Sequence, residues 1–380
     1  MIALPYIVII AFFFILVNID ILNIRLNKMS YKMLHCVAIV IMILFTGLRW
    51  EKIERDKEII DYSGYVYIYN KPMSSGIIFF SEYLSSDDYH RNFDPGFVYL
   101  SSFFRNYLFN SPNLFFLLIS LVTIILFAKG LKRNEIQYGI LLIFFVYLTR
   151  LYFQYNFILI RQGLALVICW WAIPLINERR FWKFSFFCCL AGLMHFSGFV
   201  FIVAYFLPKF QFSNKFIIVG LPILFIFSIT GITNNAIIFL AEHIGTFIGQ
   251  SDKVGVYTRG IYSQSPSPLY FLEMLPFFYF AMKYKEDICK TSTGKFFFNM
   301  LIFYIMFSIL TMGFMGLMRF SIYYIYSFFF IISYMLKNTK IYGNRIIYGY
   351  AFCVYFLMFG VRYFLIWPRI FSEYHIFLLN

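Results

Sequence analysis

The stretch Ile2–Leu22 reads IALPYIVIIAFFFILVNIDIL, and Asp20 is its only charged residue. About 20 consecutive apolar residues are what an α-helix needs to cross the hydrocarbon core of a bilayer. The stretch lacks the basic start and the small-residue cleavage site of a signal peptide. We therefore expect it to be a transmembrane helix that the mature protein retains.

The composition indicates that the whole chain, and not only this stretch, belongs to a membrane protein. Of the 380 residues, 61% are hydrophobic and 13% are charged, a balance that excludes a soluble domain. In hydrocarbon every backbone amide needs a partner within the protein, so only helices or a closed β-barrel can span a bilayer. Uninterrupted apolar runs exclude the alternating pattern of barrel strands. The sequence therefore predicts an all-α, polytopic integral membrane protein.

Charged and Pro- or Gly-rich breaks divide the chain into about twelve apolar segments, each a candidate span. These segments lie near residues 2–22, 33–48, 112–128, 136–151, 157–176, 183–206, 215–231, 234–249, 268–284, 295–313, 318–336 and 345–366. The segments 136–151 and 234–249 are short for a bilayer about 30 Å thick, so each could be tilted, broken or re-entrant. We expect one transmembrane domain, 1–380, with two larger loops at 49–111 and 250–268.

Lysine and arginine gather in alternate loops, and cytoplasmic loops retain these residues during insertion. The basic loops contain Arg25 to Lys32, Lys129 to Arg133, Arg179 to Lys183, Lys283 to Lys295 and Lys337 to Arg345. We expect them to be cytoplasmic, and the loops 49–111 and 250–268 to face outward. Topology and anionic lipid explain the net charge of +14 better than nucleic acid does.

The first outer loop is rich in aromatic and acidic residues. It contains a tyrosine-rich stretch from Asp61 to Tyr67 and the motif Asp94-Pro95-Gly96-Phe97. Residues 93–109 are aromatic and amphipathic, a pattern suited to the membrane interface. Two interpretations stay open. The loop could bind sugars by ring stacking and carboxylate hydrogen bonds, or it could form an interfacial aromatic belt.

Arginines at the outer ends of spans are the main functional candidates. A charge near the bilayer centre costs about 2.5 to 3.5 kcal/mol, and both Arg161 and Arg319 lie inside or at the start of a span. A phosphate or pyrophosphate suits the planar fork of arginine donors, so we expect these two to bind an anion. For Arg150 and Arg362 we expect snorkelling into the headgroups instead.

Other ionisable residues are weaker candidates. His195 lies in Met194-His195-Phe196-Ser197 near the middle of a span and could act as a general base near neutral pH, although a lone histidine on an apolar helix is more often a core residue. Glu273 lies about one turn inside its span, and Glu242 and His243 lie within 234–249. No phosphate-binding glycine loop, nucleophile elbow or metal motif is present, so the sequence predicts neither a metal nor a cofactor.

Several short motifs in a fixed order resemble the EpsG-type branch of bacterial O-antigen and exopolysaccharide polymerases, the Wzy proteins. The motifs are Gly47-Leu48-Arg49, Asp61-Tyr62 with Tyr65, Asp94-Pro95-Gly96-Phe97, Ile160-Arg161-Gln162, Phe181-Trp182-Lys183-Phe184, Met194-His195-Phe196-Ser197 and Met318-Arg319-Phe320. A charged insert, Glu51 to Glu58, separates Arg49 from Asp61 where the family has a compact stretch, so Asp56 or Asp61 is the matching acid.

The resemblance implies a GT-C-like glycosyltransferase in the bacterial inner membrane with its active site facing the periplasm. Its substrates would be oligosaccharide repeat units on undecaprenyl pyrophosphate, joined with inversion into O-antigen or a similar surface polysaccharide. The partners that it implies are membrane lipid and a chain-length regulator protein; we expect no nucleic acid.

The resemblance and the residues together suggest roles. Arg161 and Arg319 would hold the donor pyrophosphate with help from Arg49 or Arg259, and His195 would be the base, supported by Glu273 or Asp61. Two rivals stay open. A flippase for lipid-linked oligosaccharide would be expected to show repeated halves and polar groups near the midplane. An acyltransferase or other membrane-embedded transferase would be expected to show a dedicated histidine or serine nucleophile.

Overall fold

The computed structural model describes residues 3–50, 61–74, 78–86, 88–91, 93–247, 272–366, 368–371 and 374–376. Up to residue 177 the elements are α1 Leu4–Ile21, α2 Lys28–Gly47, β1 Arg49–Trp50, α3 Tyr62–Asn70, α4 Phe79–Ser85, α5 Asp88–Arg91, α6 Pro95–Tyr107, α7 Pro112–Arg133, α8 Ile140–Tyr147, a π turn Leu148–Tyr152, α9 Phe153–Tyr155, α10 Ile160–Ala172 and α11 Pro174–Asn177.

The elements that follow are α12 Phe181–Met194, a 3₁₀ helix Phe196–Lys209, a π turn Phe216–Gly220, α13 Leu221–Ile229, α14 Ile232–Phe247, α15 Leu275–Lys283, α16 Lys285–Ile288, α17 Ser292–Leu310, α18 Met315–Ser321, a 3₁₀ turn Ile322–Tyr324, α19 Ser327–Asn338, α20 Tyr342–Ile366, α21 Pro368–Phe371 and β2 His375–Ile376. Among the described residues, the two short strands are the only β-structure.

Seven helical segments in the described ranges are long and apolar enough to cross a membrane, judged by length and composition. They are Leu4–Ile21, Lys28–Gly47, Pro112–Arg133, Ile160–Asn177, Ser292–Leu310, Gly316–Asn338 and Tyr342–Ile366. Shorter apolar helices are Ile140–Tyr155, Phe181–Met194, Phe196–Lys209 and Phe216–Ile229. The chain is an all-α, polytopic membrane protein; the number of twelve spans and the GT-C-like architecture stay predictions. The loop 250–268 lies outside the described residues.

The segment 183–206, expected as one span, is broken at His195. The α-helical part α12 ends at Met194, and a 3₁₀ helix begins at Phe196. Gly198 lies so close to α12 that a Cβ atom on it would come within 2.7 Å of the carbonyl carbon of Ala191. The chain therefore folds tightly back on the end of α12, and His195 occupies the break instead of the middle of a continuous helix.

The chain forms two compact units: residues 1–174, 185–199 and 332–380 make up the first, and residues 175–184 and 200–331 make up the second. In the first unit α7 packs against both α2 and α10, and α1 packs against α8. In the second unit the side chain of Asn299 on α17 donates to the carbonyls of Leu207 and Phe210 at 2.9 and 3.0 Å.

Asp20 is a buried carboxylate that joins four helices of the first unit. Its Oδ2 accepts from the backbone N–H groups of Leu141 and Leu142 at 2.7 and 3.1 Å, at the start of α8. Its Oδ1 accepts from the hydroxyl of Tyr31 at 2.6 Å, and Arg345 Nη2 donates to its backbone carbonyl at 2.6 Å. The carboxylate is tolerated in apolar surroundings because two backbone N–H groups and the hydroxyl of Tyr31 donate to it.

Arg150 does not snorkel, so that prediction is wrong. The residue is 4% exposed, and its Nη1 donates to the hydroxyl of Tyr363 on α20 at 2.6 Å. The same hydroxyl lies 2.8 Å from the carbonyl oxygen of Arg150. The π turn directs Arg150 toward α20, where the tyrosine provides a polar partner inside the protein. Arg150 therefore has a structural role in the first unit.

Residues 374–376 of the first unit pack against the end of α2 and the start of the loop 49–111. The strands β1 and β2 pair antiparallel, with Arg49 opposite Ile376. The ring of Tyr374 stacks on Phe45 at 4.6 Å, and its hydroxyl donates to the carbonyl of Phe45 at 2.6 Å. This pairing encloses Arg49, which is 5% exposed.

Candidate functional site

A carboxylate from the loop 49–111 contacts the candidate arginine of α10. Asp94 directly precedes α6, and Pro95 occupies the first helical position, where its fixed φ favours helix initiation. The Nη1 of Arg161 donates to Oδ2 of Asp94 at 2.6 Å, and the two side chains are 15% and 17% exposed. The arginine that sequence analysis singled out is therefore neutralised in part by an aspartate from the loop.

Arg161 lies in the first turn of α10, flanked by aromatic rings. Its guanidinium carbon is 4.5 Å from the ring centroid of Phe93 and 5.6 Å from that of Tyr65. Cation–π contacts of this kind hold a guanidinium in a fixed orientation. Its buried Nε has no hydrogen-bond partner within the part of the chain that the structure describes. The group therefore retains a buried donor after it has paired with Asp94.

The same aspartate reaches the break after α12. Its Oδ1 accepts from the backbone N–H of Phe196 at 2.9 Å. Next to this contact, Nδ1 of His195 lies 2.6 Å from Oγ of Ser197, and Nε2 of Gln162 donates to the same Oγ over a long 3.5 Å. One carboxylate thus joins the start of α10 to the turn that contains the histidine.

We call Asp94, Arg161, Gln162, His195 and Ser197 the Asp94 cluster; all five lie in the first unit. Gly96 packs closely against α12, and this contact helps to position the Asp94 cluster. A Cβ atom on Gly96 would come within 2.7 Å of Cβ and 2.8 Å of the carbonyl oxygen of Leu193. Only a residue without a side chain lets α6 approach the end of α12 this closely.

The effects on the pKa of Tyr65 show which charged groups lie near its ring. Burial raises the pKa of Tyr65; Arg161 lowers this pKa, while Asp61 and Asp94 raise it. Burial also raises the pKa of Asp94, against the opposing effects of Arg161 and the N–H of Phe196. Asp61, proposed from sequence as a substrate-binding acid, therefore lies within electrostatic reach of the ring that flanks Arg161. It sits at the start of α3 and is partly exposed.

Arg49 occupies a different environment in the first unit. Its guanidinium carbon lies 4.5 Å from the ring centroid of Phe157. It lines a small cavity of about 20 Å³ together with polar side chains that include Thr46, Tyr62 and Asn156. Ile160, the residue before Arg161, also lines this cavity. Burial raises the pKa of Tyr62 to about 12, and Arg49 opposes that shift.

The remaining candidates are not part of the Asp94 cluster. Arg319 lies on α18 and is partly exposed, and Glu273 is fully buried just before α15; both belong to the second unit. Arg259 lies outside the described residues. His243 is exposed, with Nδ1 2.8 Å from the carbonyl of Phe239. Joint binding of one anion by Arg161 and Arg319 stays a prediction.

Asp94, Ser197 and Gln162 were not among the candidates predicted from the sequence, although the structure places them in contact with Arg161 and His195 or with each other. Asp94 was part of a motif but had no assigned role, and the signal was present: an acid directly before a helix-initiating proline and a glycine. Gln162 directly follows Arg161, and Ser197 lies two residues after His195. Their proximity in space depends on the break at His195, which the continuous apolar run 183–206 conceals.

The Asp94 cluster has two chemical capabilities. A guanidinium with a buried spare donor can bind and stabilise an anion, and preorganised donors of this kind act most strongly where water is excluded. An imidazole held at one ring nitrogen can take a proton at the other. Within the described ranges, no group of three or more His, Cys, Asp or Glu residues could hold a metal ion.

The model of the EpsG family matches residues 32–374, which include every member of the Asp94 cluster. No curated protein and no solved structure matches the chain.

Proposed function

The chain belongs to the EpsG family, and from that premise we propose that it is an inverting polymerase of lipid-linked oligosaccharides. Membership of the family supports a polysaccharide polymerase-like role, that of a glycosyltransferase-like membrane enzyme. The finer proposal is that repeat units carried on undecaprenyl pyrophosphate are joined into O-antigen or a similar surface polysaccharide at the periplasmic face of the inner membrane.

The observation that carries the proposal is the pairing of an anion-binding group with a base candidate around Asp94. Transfer of a glycosyl group from a lipid pyrophosphate leaves negative charge on the departing phosphate. Arg161, oriented by Asp94 and two aromatic rings, has a buried Nε donor that can meet this charge. Removing one such donor in other enzymes costs about 10²- to 10³-fold in rate.

His195 is the base that we propose for the acceptor hydroxyl. We assign the proton to Nδ1, which lies 2.6 Å from Oγ of Ser197 and would donate to it, so that the basic lone pair is on Nε2. The hydroxyl of the incoming unit would then attack the anomeric carbon as His195 takes its proton, and the carbon–oxygen bond to pyrophosphate would break. Attack from the side opposite the leaving group inverts the anomeric configuration. General-base assistance contributes about 10²- to 10⁴-fold.

Arg319, Arg49 and Arg259 complete the proposed donor site, and Asp61 and Glu273 are the proposed acids behind His195. We include them because each is an arginine or a carboxylate that the topology predicted from sequence places toward the outer face. A regulator of chain length is the proposed protein partner. No cofactor is part of the proposal.

Reconstitution of the purified full-length chain tests this function. Nanodiscs would receive undecaprenyl pyrophosphate carrying a defined oligosaccharide, without nucleotide or ion gradient, and gel separation would report polymer length. We expect a ladder of polymers whose new linkage has the inverted configuration by NMR. Translocation of the lipid-linked sugar without new bonds would contradict the proposal and indicate a flippase.

Arg161→Lys is the sharpest variant in that assay. Lysine keeps the charge and can pair with Asp94, but it lacks the planar fork. We expect polymer formation to fall by about 10²-fold or more, while Arg362→Lys, at a partly exposed position on α20, behaves like the original chain. Polymer of normal length from correctly inserted Arg161→Lys protein would contradict the role of Arg161.

A further inference from the structure

An apolar groove runs between four helices of the first unit, beside the Asp94 cluster. Its volume is about 350 Å³, within the range of about 300 to 1,000 Å³ for small-molecule sites. Apolar side chains of α6, α7, α10 and α12 line it, among them Phe104 of α6, Leu164, Ile168 and Trp171 of α10, and Leu190 and Met194 of α12. We call this space the apolar groove.

The face of α10 that lines the apolar groove begins at the candidate arginine. Leu164, Ile168 and Trp171 follow Arg161 at spacings of three, four and three residues. Positions three and four apart share one face of an α-helix. Arg161 therefore occupies the end of the same stripe, about one turn from Leu164. The charged group and the apolar lining belong to one continuous surface.

The lining residues of α12 and α6 also lie close in sequence to members of the Asp94 cluster. On α12 the lining residues Leu190 and Met194 lead to His195, which directly follows Met194. On α6 the lining residues follow Asp94, whose carboxylate pairs with Arg161. Helices α6, α10 and α12 therefore each connect the lining of the apolar groove with a member of the Asp94 cluster. A ligand that fills both places must be an amphiphile with an anionic head and a hydrocarbon chain.

We infer that the apolar groove binds the isoprenoid chain next to the pyrophosphate of the lipid-linked substrate, with the pyrophosphate at Arg161. This inference rests on the proposed function and assigns the lipid part of the substrate to named residues. The lined stretch of α10, from Leu164 to Trp171, rises by about 10 Å along the helix axis, so the groove would hold only the first isoprene units. The rest of the chain would lie among the lipids.

Photocrosslinking at one groove position and one neighbouring position tests the inference. Leu190 would be replaced by p-benzoylphenylalanine, and Phe186 would be replaced in a second protein as the control. Phe186 is 63% exposed and lies on the same helix outside the lining. Each full-length protein, in phosphatidylcholine nanodiscs, would receive radiolabelled undecaprenyl pyrophosphate. We expect several-fold more label at position 190 than at position 186.

Competition with unlabelled lipids shows which kind of lipid provides the hydrocarbon chain in the apolar groove. Unlabelled undecaprenyl pyrophosphate should remove the label at position 190, and the same concentration of dioleoyl phosphatidic acid should not. Equal labelling at both positions, or equal competition by phosphatidic acid, would overturn the inference, because the groove would then take bulk lipid.

A variant that narrows the groove separates this inference from the proposed function. Ile168→Trp should raise the KM for the lipid-linked donor several-fold and reduce labelling at position 190, while Phe186→Trp should change neither. Specific labelling in a protein that makes no polymer would support the groove and contradict the polymerase. Polymer synthesis with an unchanged KM in Ile168→Trp would contradict the groove and leave the polymerase in place.

Discussion

Oδ2 of Asp94 lies 2.6 Å from Nη1 of Arg161, so an aspartate of the loop 49–111 forms an ion pair with an arginine of α10, a candidate membrane-spanning helix. The other oxygen of the carboxylate accepts from the N–H of Phe196. The Asp94 cluster is therefore assembled only when the loop is seated on α10 and α12. We infer that Asp94 positions Arg161 and does not take part in bond formation.

Asp94→Asn should separate positioning from folding. Asparagine keeps the shape and can still accept from Phe196, but it removes the charge that orients Arg161. The pair is partly exposed, so we expect a loss of about 1 to 3 kcal/mol in unfolding free energy together with a strong loss of polymer. Asp94→Ala, which removes both contacts, should be less stable still.

Thermal unfolding in detergent and the polymer assay measure the two effects. A double-mutant cycle with Arg161→Lys gives the coupling between the residues. Additive losses in activity would contradict the positioning role, because two partners in one contact should lose less together than the sum of their separate losses.

Acid should weaken polymer formation through Asp94. Burial raises the pKa of this carboxyl against the opposing effect of Arg161, so on acidification it takes up a proton at a higher pH than an ordinary aspartate. The protonated form is neutral and no longer forms the ion pair with Arg161. We expect activity to fall as the pH drops through this raised pKa.

The variant Asp94→Asn serves as the control for pH. It carries no titratable group at that position, so its residual activity should lack the limb that belongs to Asp94 and retain any limb from His195. An identical acidic limb in both proteins would assign the pH dependence to another group.

His195→Gln should remove the proposed base and leave the fold intact. Glutamine can still interact with Ser197 and is similar in size, but it does not take up a proton near neutral pH. We expect polymer formation to fall by about 10²- to 10⁴-fold with little change in thermal unfolding. Unchanged activity would exclude His195 as the base and direct attention to Asp61 or Glu273.

Some features of the fold and of the candidate site could be predicted from the sequence because they depend on local sequence patterns. The helical membrane architecture follows from the length of runs such as Ile2–Leu22, because hydrocarbon leaves the backbone few alternatives. The candidate arginine at Arg161 follows from the cost of a charge in that setting. The family follows from the order of short motifs, which agrees with the match over residues 32–374.

The contacts between side chains and distant parts of the chain could not be predicted from the sequence in this way. Nothing in the run 183–206 signals that a helix ends at Met194, since Gly198 and the backbone of Ala191 meet only in three dimensions. Arg150 resembled a snorkelling residue because its partner, Tyr363, lies 213 positions along the chain. The role of Asp94 needed the same long-range information.

Gly96→Ala should disturb the seating of α6 on α12. The new methyl group would lie within 2.8 Å of the carbonyl oxygen of Leu193, and backbone atoms cannot move aside cheaply. We expect a loss of about 1 to 3 kcal/mol and a larger loss of polymer, because Asp94 stands two residues away. Gly343→Ala is the matched control, since a Cβ atom there meets nothing within 4 Å. Equal behaviour of the two variants would contradict the close approach.

Asp20→Asn should destabilise the first unit without a direct effect on chemistry. The carboxylate accepts from two backbone N–H groups at the start of α8 and from Tyr31, and an amide has only one oxygen to replace these contacts. We expect a loss of about 1 to 3 kcal/mol for the buried N–H groups left unsatisfied. Tyr31→Phe, which removes a single hydrogen bond, should cost about 1 kcal/mol. Thermal unfolding in detergent measures both, and an Asp20→Asn protein as stable as the original would show that α8 does not depend on this carboxylate.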